Sequence, residues 1–149
     1  MSKAPSLDLL INVTHEAVDE AARRVQQAAM ARSRAQEQLE TLHAYRLDYA
    51  QRLQESGQNG LTASNYLNFH RFLNTLDEAI SQQNTIVAQS ESRLVAGRQQ
   101  WQAERQRLGA FEALQSRQKQ QQALREAKRE QRASDEIAAN LYRRIHRQP

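Results

Sequence analysis

Apolar side chains recur every seven residues along most of this chain. In the first half Ile11, Val18, Val25, Leu39 and Leu53 fall on one strict series, interrupted by Arg32 and Arg46. A companion series runs through Thr14, Ala21, Ala28, Ala35, Leu42 and Tyr49. In the second half Leu73, Ile80, Val87, Leu94, Trp101 and Leu108 keep the spacing without a miss. Phe69, Leu76, Gln83, Ser90, Gly97, Glu104 and Phe111 accompany them, apolar only near the ends. Paired series of this kind are the a and d positions of a coiled-coil seam, and a strict period of seven predicts a left-handed supercoil. The seam is thin, because much of one series is alanine.

Between the halves lies the stretch Ser56-Gly57-Gln58-Asn59-Gly60-Leu61-Thr62-Ala63-Ser64-Asn65, where turn residues cluster. Gly57 and Gly60 reach positive φ cheaply, Asn59-Gly60 is a strong turn dipeptide, and Thr62, Ser64 and Asn65 are candidate N-caps. The pattern predicts a first helix over 6–56, closed at Glu55 with Gly57 just past its end, a turn over 57–62, and a second helix over 63–145. Folding the halves together through this turn brings Ile11 opposite Leu108, Val18 opposite Trp101, Val25 opposite Leu94 and Leu39 opposite Ile80. The companion series then sets Ala21 against Gly97, Ala35 against Gln83 and Leu42 against Leu76. From about residue 115 the second helix has no partner in this register and continues as an extension, with Ile137, Leu141, Tyr142 and Ile145 on one stripe near its end. The expected fold is all-α, a single domain over 1–149: a long two-stranded antiparallel coiled-coil hairpin with a C-terminal helical extension.

Composition agrees. Only 39% of the 149 residues are hydrophobic and 5% aromatic, which suits long helices better than a globule. The two prolines, Pro5 and Pro149, lie near the ends, so no ring interrupts either helix. There is no cysteine, which excludes disulfides and fits a reducing compartment. The N-terminus lacks the pattern of a signal peptide, and no apolar run approaches the ~18–20 residues needed to span a membrane. A soluble, cytoplasmic protein without direct membrane insertion is expected. Charge is unevenly placed. Met1–Phe111 holds 12 basic and 12 acidic residues, whereas Glu112–Pro149 holds 9 and 5, so the whole net charge of +4 sits in the last segment. That asymmetry suits either an acidic partner or a solvated helix face.

No catalytic constellation stands out. His15, His43, His70 and His146 show no metal-binding spacing, no Gly-rich phosphate loop occurs, and the carboxylates are interleaved with arginine. Neither an enzyme nor a cofactor or metal site is expected. What does stand out is an aromatic edge close to the turn. Gln38, Leu42, Tyr45 and Tyr49 form one stripe of the first helix, and Phe72, Leu76, Ala79 and Gln83 repeat the spacing on the second. Leu42, Tyr49 and Leu76 also belong to the seam. Tyr45 and Phe72 do not, and exposed aromatics in a contiguous patch mark a protein-binding surface.

Taken together, the chain resembles the FliJ family of flagellar export proteins. The likeness runs from Leu7 and Glu16–Arg23 through Ala35–Leu39, Leu42, Tyr45, Tyr49, Asn59-Gly60 and Ala63–Asn65. It continues through Asn68-Phe69, Phe72, Thr75-Leu76 and Ala79-Ile80 to Trp101, Arg107-Leu108 and Leu114-Gln115. The resemblance implies a coiled-coil stalk whose open end enters the hexameric flagellar export ATPase, with the basic residues Arg125, Lys128, Arg129, Arg132, Arg143 and Arg144 placed to meet the ring. It implies a surface for the cytoplasmic domain of the membrane export gate, mapped here to Gln38, Leu42, Tyr45, Tyr49, Phe72, Leu76 and Ala79. At position 83 the family can carry histidine where this chain has Gln83. The resemblance also implies binding of export chaperones and a place at the inner membrane beneath the flagellum. Two alternatives compete: the equivalent stalk of a virulence-type secretion system, and a basic helix that binds nucleic acid. Against the second, the tail lacks interleaved aromatics, so no nucleic-acid partner is expected.

Overall fold

The computed structural model describes residues 6–147. Two helices account for nearly all of them: α1 spans Leu7–Gln58 and α2 spans Ala63–His146, and the described residues include no strand. The protein is an all-α helical hairpin. Ser6 caps α1, its Oγ accepting from the N–H of Leu9 at 3.2 Å, and Asp8 places negative charge in the first turn. Of the three candidate caps for α2, Thr62 takes the role: its Oγ1 accepts from the N–H of Asn65 at 3.3 Å. Arg143, Arg144 and His146 lie in the last turn of α2, where the helix dipole favours them.

The turn corrects one expectation. Gly57 does not end α1 but lies inside it, and Gly60 is the residue with positive φ, at 82°. The N–H of Asn59 donates to the carbonyl of Ser56 at 3.2 Å. Ending the helix at Glu55 would forfeit backbone hydrogen bonds worth about 0.5–1.5 kcal/mol each, against a helical glycine penalty of about 1 kcal/mol. The helix therefore runs on until the left-handed residue stops it.

The chain divides into two compact units, one of Ala17–Glu104, the other of Met1–Glu16 with Arg105–Pro149. In the larger unit the seam holds Ala21, Ala35, Leu73, Leu76, Ile80, Gln83, Val87 and Leu94 as buried residues. Every other heptad position named above within this unit is half-buried, except Arg32. The two arginines that interrupt the α1 series both reach α2. Arg32 Nε lies 3.5 Å from Glu91 Oε1, and Arg46 donates from Nε and Nη2 to the two carboxylate oxygens of Asp77. Ala35 meets Gln83 as the register requires. Gly97, in contrast, faces Val25 rather than Ala21: a Cβ added there would lie 3.7 Å from Val25 Cγ2. Ala21 and Val25 stand one turn apart on the same face, and the longer valine fills the slot that a glycine leaves.

In the smaller unit Ile11 and Thr14 of α1 are buried, and Leu108, Phe111 and Gln115 of α2 are half-buried. The Thr14 hydroxyl is satisfied within its own helix, donating to the Leu10 carbonyl at 2.7 Å. Gln115 Nε2 donates to Asp8 Oδ1 at 2.6 Å. Beyond Gln115 every described residue is exposed, up to residue 147.

The turn makes a paired prediction. Gly60→Ala forces a side chain into the left-handed region and should destabilise the hairpin by about 1–2 kcal/mol. Gly57→Ala, in helical backbone with nothing within 4 Å of the added Cβ, should stabilise it by roughly 0.5–1 kcal/mol. Urea unfolding followed by circular dichroism measures both; equal effects would place the left-handed residue elsewhere.

Candidate protein-binding edge

The predicted edge lies within the larger unit, close to the turn. Tyr45 is 55% exposed and Phe72 40% exposed, whereas Leu76 is only 7% exposed. Leu42, Tyr49 and Ala79 are half-buried and Gln38 is exposed. The stripe is therefore layered. Leu76 belongs to the seam and offers little surface; Tyr49 links seam to surface. The Tyr49 ring sits 4.3 Å from that of Phe72 and 6.2 Å from that of Phe69, tilted against both. The Arg52 guanidinium carbon lies 5.7 Å from the Tyr49 ring centroid, within range of a cation–π contact. Tyr45 and Phe72 are off the heptad series, so a single partner helix cannot cover them.

Gln38 and Gln83, both named on the sequence stripe, form the polar half of this region, though the bond between them was not foreseen. Gln83 is 8% exposed, and its Nε2 donates to the Ala35 carbonyl at 2.9 Å and to Gln38 Oε1 at 3.2 Å. Beside it runs an open groove of about 500 Å³ lined by Arg34, Glu37, Gln38, Thr41, Leu42 and Gln83. The signal was present in the sequence: a glutamine in a seam slot must find a partner across the seam.

Arg46 and Asp77 adjoin Tyr45 and Leu76 in the chain. The hydrogen bond from Arg46 holds the Asp77 carboxyl below the usual carboxylate range, with desolvation opposing and charge attraction adding to it. The same hydrogen bond raises Arg46.

The six basic residues singled out in the tail, Arg125, Lys128, Arg129, Arg132, Arg143 and Arg144, are all exposed. So are Ile137, Leu141, Tyr142 and Ile145, and the Tyr142 ring stacks on that of His146 at 4.1 Å. Among the described residues no group of three or more His, Asp or Glu is arranged to hold a metal ion.

A helical hairpin with heptad seam and an exposed aromatic edge defines a class, that of coiled-coil hairpin proteins. Within that class the chain belongs to the flagellar FliJ protein family, whose model matches residues 2–147. It is 30% identical over 138 residues to the flagellar FliJ protein of Salmonella typhi, covering 93% of this chain and 94% of that one. The Escherichia coli K12 flagellar FliJ protein is 29% identical over the same length and coverage. A solved structure described as a YscO homologue from Chlamydia trachomatis aligns with 98% of each chain at 17% identity and a TM-score of 0.45, a likeness too loose to bear on function.

Folding lowers the Asp77 pKa, so the ion pair contributes fully above the unfolded value of about 3.9 and its contribution is lost as pH falls through the lower folded-state value. Wild type should melt above Asp77→Asn at neutral pH by a small, salt-sensitive margin, since the pair is exposed. That margin should close as pH drops below about 4. A margin that persisted in acid would show that the amide disturbs packing instead.

Proposed function

We propose that this chain is the stalk and chaperone-escort component of a flagellar type III export apparatus, coupling the hexameric export ATPase to the cytoplasmic domain of the membrane export gate. The observation that carries the reading is the pair of exposed aromatics, Tyr45 and Phe72, held on a braced helical edge in a member of the FliJ family. Aromatic anchors of this kind dominate protein–protein binding energy, because a large rigid surface is desolvated at small entropic cost. Gln38, Leu42, Tyr45, Tyr49, Phe72 and Ala79 present the gate-binding surface, with Leu76 beneath them. The basic tail, through Arg125, Lys128, Arg129, Arg132, Arg143 and Arg144, meets the ATPase ring by charge complementarity. Curated relatives that are flagellar favour that system over a virulence-type one. The protein works in the cytoplasm against the inner face of the membrane; no described helix is long and apolar enough to cross it.

Two experiments test this. Tyr45→Ala with Phe72→Ala should weaken binding to the gate's cytoplasmic domain by about tenfold or more while helicity is kept, because the truncated rings are largely outside the seam. Leu94→Ala is the control: it should cost about 2–5 kcal/mol of stability and leave the edge intact. Loss of fold in the double variant, or unchanged gate binding, would remove the edge from the site. Among the described residues, truncation after Gln115 takes away only exposed ones; it should preserve the seam and abolish stimulation of the export ATPase. Full stimulation by the truncated chain would rule out the tail as the ATPase contact.

A further inference from the structure

We infer that Gln83 is a positioning residue for the edge, and that it acts through Gln38. Gln83 occupies a heptad slot between Ile80 and Val87, both buried, and is itself 8% exposed. An amide there must be satisfied inside the protein or it opposes folding. It is satisfied across the seam. Its Nε2 donates to the Ala35 carbonyl at 2.9 Å and to Gln38 Oε1 at 3.2 Å. A primary amide carries two N–H donors, enough to serve both acceptors within the protein.

The consequence falls on Gln38. Its carbonyl oxygen is turned toward Gln83, which fixes the side chain of an exposed residue whose torsions would otherwise be free. Its own two donors are what remain for recognition. Ala35, only 4% exposed, makes the arrangement possible: a larger side chain there would fill the space through which the Gln83 amide reaches the backbone. Leu42 and Thr41 line the adjoining groove with Gln38, and the Thr41 hydroxyl donates to the Glu37 carbonyl at 3.0 Å. The groove thus presents the Leu42 side chain beside a held amide donor. That combination suits a partner segment offering an apolar side chain and a carbonyl oxygen. The gate as that partner rests on the function proposed above; the Gln83–Gln38 coupling does not.

The test is a double-mutant cycle with Gln38→Ala, Gln83→Met and both together, in the full chain. Methionine keeps the length of glutamine and removes the amide, so the seam remains filled. Urea unfolding should show non-additivity: once Gln83 is methionine, Gln38→Ala should change the unfolding equilibrium by roughly three- to tenfold less than it does in wild type. Binding to the gate's cytoplasmic domain should fall several-fold in each single variant and no further in the double. Additive unfolding effects overturn the coupling. Coupled unfolding with gate binding unchanged in Gln83→Met overturns the positioning role. A wild-type chain that fails to bind the gate domain overturns the gate reading, while the unfolding cycle still decides whether Gln83 holds Gln38.

Discussion

A helix paired with a single other helix can bury only one stripe of its circumference. That constraint governs this protein. Within the larger unit the buried stripe consists of Leu73, Leu76, Ile80, Gln83, Val87 and Leu94 facing alanines and half-buried aliphatics of α1. Each buried Leu, Ile or Val adds about 1.5–3 kcal/mol, and there are few of them. Polar groups along the seam are therefore costly, and several have a specific answer. Thr14 bonds back to its own helix, Gln83 reaches across to α1, and Arg32 and Arg46 swing out to Glu91 and Asp77. The remaining circumference is left to solvent or to partners.

The same constraint separates what was readable in the sequence from what was not. Heptad spacing alone located the seam: of the positions it named, Arg32 is the one exposed. It likewise put Tyr45 and Phe72 outside, because a period that selects one face also identifies side chains off that face. It could not say which of two glycines carries the left-handed backbone, because Gly57 and Gly60 are equally permissive. The answer depended on how far α1's hydrogen-bond ladder extends. Nor did spacing settle whether Gly97 faces Ala21 or Val25, one turn apart on one helix face. That depends on side-chain volume in three dimensions. The Gln83–Gln38 bond was only half legible: the register set Gln83 against Ala35, but which side chain its amide would meet there depends on three-dimensional placement. A glutamine in an apolar series reads as a flaw until its partner's position is known.

The edge and the tail illustrate two ways of leaving a helix surface available. At the edge, the Tyr49 ring packs against those of Phe69 and Phe72, so a partner there would meet a preformed surface and lose little to ordering. In the tail, residues 116–147 stand outside any packed face. Their helical form draws on local propensity and on charge placement at the last turn, where Arg143, Arg144 and His146 lie.

Under the proposed function, this difference would set the lifetimes of the two contacts. A partner that grips a braced surface keeps most of the gross interaction energy, and dissociation is slow for the area buried. A partner that grips a helix with no packed face must also stabilise the helix, and that cost is deducted from its hold. Per unit of contact, then, the proposed function would have the tail exchange often and the edge hold longer. One continuous helix, α2, contributes residues to both surfaces.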